Sequence, residues 1–463
     1  MKTFSISTLG CKVNQYESQQ IRELLQQYRF TQVDPGHGPD LAVINTCCVT
    51  STASSKSRQL IRKIHRCQPQ CAVIVCGCLP KTETHELTKL GINVYFIHDR
   101  GILANELARI IQKEIVQEDQ SIDSELDQNT PIRTKSKNKI KPGPETITPN
   151  LPSLSIFTGQ TRAFIKVQDG CDGHCAYCII PKTRPIVASR PLHEIVSEAT
   201  CLVRSGHKEI VVTGVFLGSY GQNTVIRRHW PHRKNPGLSE LLDHLARIPD
   251  LRRIRLSSLE PADITDELID IFLQHNNILP HLHLSLQSGS DNVLKRMCRQ
   301  YRTQDFRQVV DQLKTHLKKP AITTDIIVGF PGETDADFDE TVAMATEVGF
   351  SKMHVFGFSA RQGTAAAKMP HQIPGPVIRE RSERLRRLNA DLGRAFRESF
   401  IGQQVDILVE NIGKRPSGRC ERYFKVYLEH DEQIKKNDLL RVRLEGHYHD
   451  GMCAHLLEKL THD

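Results

Sequence analysis

Apolar positions along the chain recur with two different periods, and the period changes at definite points. Short runs such as Leu41-Ala42-Val43-Ile44 and Ala72-Val73-Ile74-Val75 alternate with stretches such as Ile21, Leu24, Leu25 and Tyr28, whose spacing is helical. Strands alternating with helices predict a parallel α/β sheet domain over residues 1–112. Six further strands are predicted to begin near Ala163, Glu209, Arg253, His281, Thr323 and Lys352, with helix-length amphipathic segments between them. That repetition predicts a central partial (β/α)6 barrel over residues 157–397. Its last segment, from Ile378 through Leu385, Leu388, Leu392 and Phe396, is again helical and rich in arginine. Beyond it, residues 404–410, 419–429, 439–444 and 452–460 are short, turn-separated and mostly alternating, which predicts a small β-barrel over residues 398–463.

Between residues 113 and 156 the pattern breaks. Six acids and no Lys or Arg lie from Glu114 to Asp127, five basic residues and no acids from Arg133 to Lys141, and five prolines from Pro131 to Pro152. So little apolar surface predicts an extended linker. The whole is an α/β multidomain chain. Its 463 residues are 38% hydrophobic and 25% charged, the composition of a globular protein. No apolar run approaches the roughly 18–20 residues of a membrane-spanning helix, so no membrane partner is expected. The start, Met1 to Ser7, alternates like a strand and lacks the apolar core and cleavage site of a signal peptide, so a cytoplasmic location is expected. There the 14 cysteines would be reduced thiols, suited to metal or catalytic work rather than to a disulfide framework. The formal net charge of +9 suits a polyanionic partner such as RNA without demonstrating one.

The sharpest chemical signal is Cys171-Asp172-Gly173-His174-Cys175-Ala176-Tyr177-Cys178, directly after the first strand of the central barrel. A CxxxCxxC loop can wrap three thiolates around one cuboidal iron–sulfur cluster and leave one iron for a non-protein ligand. A structural zinc is the rival, but it would want four protein ligands, and no second cysteine knuckle follows nearby. The loop resembles that of the radical S-adenosylmethionine enzymes. In that superfamily the open iron chelates S-adenosylmethionine, and one electron splits the sulfonium to give a 5′-deoxyadenosyl radical. The resemblance implies cofactor contacts from Gly214, from Ser285 and Gln287, and from Asp325 and Gly329. Gly-Phe-Pro-Gly-Glu-Thr from Gly329 reads equally well as an ordinary strand-to-helix turn.

Cys11, Cys47 and Cys78 each follow a predicted strand of the N-terminal domain. Ligands collect at the carboxyl ends of parallel strands, so these thiols could hold a second cluster. Cys48, Cys67, Cys71 and Cys76 are rival candidates, and Cys67 with Cys71 could form a separate zinc or redox pair. The segments Leu9-Gly10-Cys11-Lys12-Val13-Asn14-Gln15-Tyr16-Glu17-Ser18 and Asn45-Thr46-Cys47 resemble the methylthiotransferases. With Gly77-Cys78, Arg190, residues 217–221, residues 256–261 and residues 283–290, the resemblance extends over all three domains. It is nearest to the tRNA threonylcarbamoyladenosine branch, whose barrel is of the TRAM type.

That resemblance implies a transferase with two 4Fe–4S clusters, Cys171, Cys175 and Cys178 holding the one that cleaves S-adenosylmethionine and Cys11, Cys47 and Cys78 the auxiliary one. The implied reaction is methylthiolation of C2 of N6-threonylcarbamoyladenosine beside the anticodon of tRNA. The implied partners are the tRNA anticodon arm and a reductant such as a flavodoxin or ferredoxin. Alternatives are a sister enzyme acting on isopentenyladenosine tRNA or a ribosomal-protein aspartate, and a non-catalytic RNA-binding protein containing zinc. The doubled Cys47-Cys48 and the segment His354-Val355-Phe356-Gly357-Phe358-Ser359 depart from the branch pattern.

Arg58, Arg62 and Arg66 share one stripe of a predicted helix after Cys47, a candidate phosphate contact or a plain solvated face. In the barrel, Arg422, Tyr423 and Lys425 lie where aromatic and basic side chains alternate as in base-stacking strands, although core packing explains the aromatics equally well. The stretch from Arg227 to Lys234, holding the single tryptophan, reads as a variable loop or an RNA contact.

Overall fold

The computed structural model describes residues 2–82, 93–98, 101–119, 151–226 and 235–460. The expected linker falls largely on residues 120–150, and the tryptophan loop on residues 227–234, all outside the described residues. At the linker's edges structure intrudes. A helix runs through Asp119, and Leu154 and Phe157 are buried in the core of the central region.

Five parallel strands, β1 (Thr3–Thr8), β2 (Thr31–Gln32), β3 (Leu41–Thr46), β4 (Ala72–Gly77) and β5 (Val94–Phe96), form the first sheet in the order β2-β1-β3-β4-β5. Every residue of β3 and β4 is buried, which is why these segments read as continuous rather than alternating apolar runs. Helices α1 (Lys12–Gln27), α2 (Ser51–Cys67) and α3 (Leu103–Asp119) accompany the sheet. By compactness the chain divides into two units. One comprises Met1–Leu9, Glu17–Cys47 and Lys56–Ser153; the other comprises Gly10–Tyr16, Cys48–Ser55 and Leu154–Asp463.

The larger unit contains the partial barrel. Strands β6 (Ala163–Asp169), β8 (Glu209–Gly214) and β9 (Arg253–Leu256) run parallel in one sheet, edged by the antiparallel β7 (Ala188–Ser189). Strands β10 (Ser258–Leu259), β11 (His281–Leu284), β12 (Ala321–Val328) and β13 (Lys352–Gly357) run parallel in a second. β9 and β10 are one predicted strand broken at Ser257, whose amide turns to the carbonyl of Val212 at 2.9 Å. The six parallel strands therefore follow one another in chain order, as the sequence spacing predicts. Amphipathic helices such as Leu192–Arg204 and Thr303–His316 bury their apolar faces against them.

The C-terminal strands β14 (Gln404–Asn411), β15 (Ser417–Cys420), β16 (Lys425–Leu428), β17 (Leu439–Tyr448) and β18 (Gly451–Lys459) close into a barrel in the order β14-β15-β16-β18-β17. The single strand expected over residues 419–429 is instead two. Tyr423 takes a left-handed φ of 72° in a tight turn, with its amide on the carbonyl of Cys420 at 3.0 Å. Periodicity could not reveal this, since a left-handed tyrosine is uncommon in turns.

Buried charge joins this barrel to the parallel strands within the larger unit. Glu209 on β8 pairs with Arg253 at 3.0 Å and Arg255 at 2.9 Å, all three almost fully buried. Arg253 also donates to the carbonyl of Arg419, and Arg255 to those of Glu421 and Cys420. Burial alone would raise the Glu209 carboxyl, but the two guanidiniums outweigh it and hold it at about 2. Its folded pKa lies below the ordinary 4.5, so its stabilisation is complete above that value and fades as pH falls towards 2. Glu209→Ala strands two buried cations and is expected to cost about 3–5 kcal/mol in a denaturant titration at neutral pH. A cost within error of zero would show that the arginines are sustained by the barrel carbonyls alone.

Candidate active site

Strand β6 ends at Asp169, and the chain then turns sharply through Gly170 at φ 77°. A Cβ on Gly170 would lie 1.7 Å from the carbonyl oxygen of Ile186, so only glycine fits. Asp169 is paired with Arg184 at 2.6 Å and Lys166 at 3.0 Å, and these cations overcome burial to hold its carboxyl well below the usual range. The Cys171 amide donates to the Arg184 carbonyl at 2.9 Å, so the same pair fixes where the cysteine loop begins.

Cys171, Cys175 and Cys178 all line one cavity of about 160 Å³. The Gly173 amide donates to the Cys171 sulfur at 3.4 Å, and the Arg299 guanidinium to the Cys175 sulfur at 3.1 Å. Burial pushes the thiols up, Cys171 to about 11 and Cys178 to about 12. Half-buried thiols in this state favour protonation until a metal replaces the protons. Three such donors facing one cavity, with hydrogen bonds already aimed at two sulfurs, fit an iron–sulfur cluster with one iron left open.

Arg299 carries more of the site than the sequence discloses. It is almost fully buried, ion-paired with Glu260, and in contact with Tyr301 and Tyr177. Glu260 and Ser285 line the same cavity as the thiols. Glu260 falls within residues 256–261, which carry the family resemblance, but nothing in the pattern Met297-Cys298-Arg299 marks the arginine. Of the other expected cofactor contacts, Gly214 ends β8 next to Val215 and Phe216, which do line that cavity. Gln287, at φ 65°, and Asp325 line a neighbouring cavity of about 220 Å³ with Ile327 and Arg361. Gly329 lines neither. Its φ is 76°, a Cβ there would lie 2.4 Å from Ile378, and its amide donates to Glu333 at 2.8 Å, the geometry of a tight turn after β12.

Cys47 and Cys78 come directly after β3 and β4, and Cys11 follows β1 by three residues. Cys47 and Cys78 are buried while Cys11 is exposed. Gly77 permits the close approach of β4 to β3, since a Cβ at its φ of 94° would lie 2.3 Å from the Thr46 carbonyl. The rivals are placed differently. Cys67 and Cys71 precede β4, at the opposite end of that strand, and Cys76 packs into the apolar core.

Arg62 and Arg66 are exposed on α2, and Arg58 is half-buried. Arg422 donates to the Lys318 carbonyl and stacks on Phe400, and Tyr423 stacks on His281 at 4.6 Å. These two side chains are engaged inside the larger unit. A more open aromatic and basic group lies farther round the barrel, where Tyr427, Tyr448 and His449 meet Lys425 and Arg415.

Residues 165–345 match the radical S-adenosylmethionine superfamily, and residues 3–98 match a family described as uncharacterized protein family UPF0004. The threonylcarbamoyladenosine tRNA methylthiotransferase MtaB of Chlamydia pneumoniae is 34% identical over 459 residues, 98% of each chain. The tRNA-2-methylthio-N(6)-dimethylallyladenosine synthase of Staphylococcus saprophyticus is 32% identical over 89% of this chain and 76% of its own. Among solved structures, the radical S-adenosylmethionine methyltransferase TsrM of Kitasatospora setae has a TM-score of 0.51 at 16% identity, covering 77% of this chain and 73% of that one, a likeness of fold. The cofactors of the methylthiotransferases are S-adenosylmethionine and two four-iron clusters. Full-length identity at this level, the cysteine loop on its parallel strands and the closed terminal barrel together mean that the chain belongs to the radical S-adenosylmethionine methylthiotransferase family.

Proposed function

We propose that the protein methylthiolates C2 of N6-threonylcarbamoyladenosine next to the anticodon in tRNA, in the cytoplasm, with electrons from a flavodoxin- or ferredoxin-like reductant. The observation that carries this reading is the convergence of Cys171, Cys175 and Cys178 on one cavity in a chain matching a threonylcarbamoyladenosine enzyme over 98% of its length. A cluster held there supplies, when bound, the electron that splits S-adenosylmethionine to the radical that activates an unreactive carbon. The chain's own residues supply the setting. Cys171, Cys175 and Cys178 hold the iron, Arg299 donates to a ligand sulfur, and Ser285 with Glu260 offers polar contacts to the cofactor beside them. Cys11, Cys47 and Cys78 are assigned the auxiliary cluster from their strand ends, and Arg58, Arg62 and Arg66 the phosphates of the anticodon arm.

Anaerobically reconstituted protein should carry two four-iron clusters, and replacing Cys171, Cys175 and Cys178 together by Ala should remove one. Iron and sulfide analysis reads this directly; full iron content in the triple variant would refute the loop's role.

The two sites should separate chemically. Cys47→Ala should still cleave S-adenosylmethionine reductively to 5′-deoxyadenosine, Cys175→Ala should not, and neither should methylthiolate tRNA. Chromatography of the nucleosides decides, and equal cleavage by both would end the division of labour.

Changing Arg58, Arg62 and Arg66 to Glu should weaken tRNA binding and flatten its salt dependence, because each lost phosphate contact removes a counterion-release contribution. Binding isotherms over a range of salt test this. Unchanged affinity and slope would make the stripe a solvated face.

A further inference from the structure

A second cavity, of about 410 Å³, opens inside the larger unit and shares Ser258 with the cavity of the cysteine loop. Its walls come from neighbouring strands in register: His283 on β11 pairs with Thr323 on β12, and Asp325 on β12 with His354 on β13. Lys12, Lys352, Arg255, Arg419 and the buried His281 add to its polar lining. We propose that this cavity binds the carboxylate-bearing side chain of the substrate base, with Lys12 as the ionic partner of the carboxylate. The assignment rests on the threonylcarbamoyladenosine reading and deepens it.

Charge decides what the cavity accepts. Arg255 shares Glu209 with Arg253 and spends its other donors on the carbonyls of Glu421 and Cys420, and Arg419 shares Glu410 with Arg162 and donates to the Tyr423 carbonyl. Lys12 and Lys352 have no acidic partner within ion-pair distance among the described residues, and Asp325 is the only carboxylate in the lining. The positive field registers on the imidazoles. Burial, then Lys352, His283 and Lys12, hold His354 below its ordinary value despite Asp325, and burial with Arg255, His283 and Lys12 holds His281 far below. Neutral imidazoles offer a hydrogen-bond donor and an acceptor to a hydroxyl or a ureido group. His281 Nδ1 is buried with no partner, a polar atom waiting for one.

Two other occupants fit less well. The ligand atoms of His283, Asp325 and His354 lie within 4.8 Å of one another, a two-histidine, one-carboxylate arrangement that could hold a divalent cation. The lysines at the same cavity oppose a cation. A dimethylallyl group would bury hydrocarbon against Lys12 and His281 and leave both without partners, a mismatch that polar sites reject strongly.

The test uses full-length, cluster-reconstituted protein and three anticodon stem–loops, carrying threonylcarbamoyladenosine, its carboxyl methyl ester, or unmodified adenosine. The wild type should bind the free acid about tenfold or more tighter than the ester, as expected for a charge-assisted hydrogen bond. Lys12→Met should bring that ratio to near one, and Lys12→Arg should restore most of it. No ester sensitivity in the wild type, or a full preference surviving in Lys12→Met, would overturn the subsite. Saturable Mn²⁺ binding lost in His283→Gln would overturn it in favour of a metal site. Failure of the substrate reading looks different: the wild type would methylthiolate a dimethylallyladenosine stem–loop and leave the threonylcarbamoyl one unmodified.

Discussion

Tyr423 is the point through which the larger unit is tied together. Its ring has Arg255 at 4.8 Å, Arg419 at 4.5 Å and Arg162 at 5.2 Å, with the His281 imidazole stacked on it. Arg162 also donates to its hydroxyl at 3.2 Å and pairs with Glu410 of the terminal barrel. Burial would raise the phenol, but Arg162 and Arg419 bring it down to about 8. Each cation–π contact is worth about 0.5–2 kcal/mol. Their joint effect is geometric, because one side chain positions three guanidiniums that bind barrel and parallel strands alike. The left-handed backbone at Tyr423 is sustained by this surrounding structure.

The same hub borders the large polar cavity, so the turn that holds the barrel also forms a wall of the substrate region. The terminal barrel thus shares a cavity with the parallel strands rather than hanging from them as an appendage. Arg419 and Tyr423 line that cavity and also the adjoining one of about 380 Å³, where Arg397, Arg422 and Lys425 add further positive charge. Basic side chains therefore line both of two cavities that share a wall, a setting suited to a polyanion.

What was legible in the sequence was what periodicity and spacing encode. β3 and β4 announced themselves as apolar runs because both faces are buried, and the six parallel strands by their regular recurrence. The cysteine loop was legible because three ligands of one cavity lie within eight residues. The rest depends on residues distant in sequence. Arg299 reaches Cys175 across 124 positions, and Arg255 reaches the Cys420 carbonyl across 165. Gly329 shows how one motif can carry two readings, since the packing of Ile378 and the Glu333 bond call for a glycine there whether or not it also meets a cofactor. For Arg422 and Tyr423 alternation left base stacking and internal packing equally open, because it cannot distinguish an aromatic that faces solvent from one that faces a neighbouring strand.

The treatment of charge separates structure from function in this molecule. Its most deeply buried arginines each have a carboxylate partner: Arg184 has Asp169, Arg299 has Glu260, Arg381 has Glu333, and Arg253 and Arg255 share Glu209. Burying a cation without a partner is costly enough that a fold admits it only with compensation. Lys12 is half-buried at the edge of a cavity whose imidazoles already feel its charge, and no acid pairs with it among the described residues. Solvent softens the cost while the cavity is open. When a base enters and displaces that water, the cost returns in full unless the incoming group is itself an anion. An unpaired lysine at this position thus converts the general rule about buried charge into a filter on the substrate.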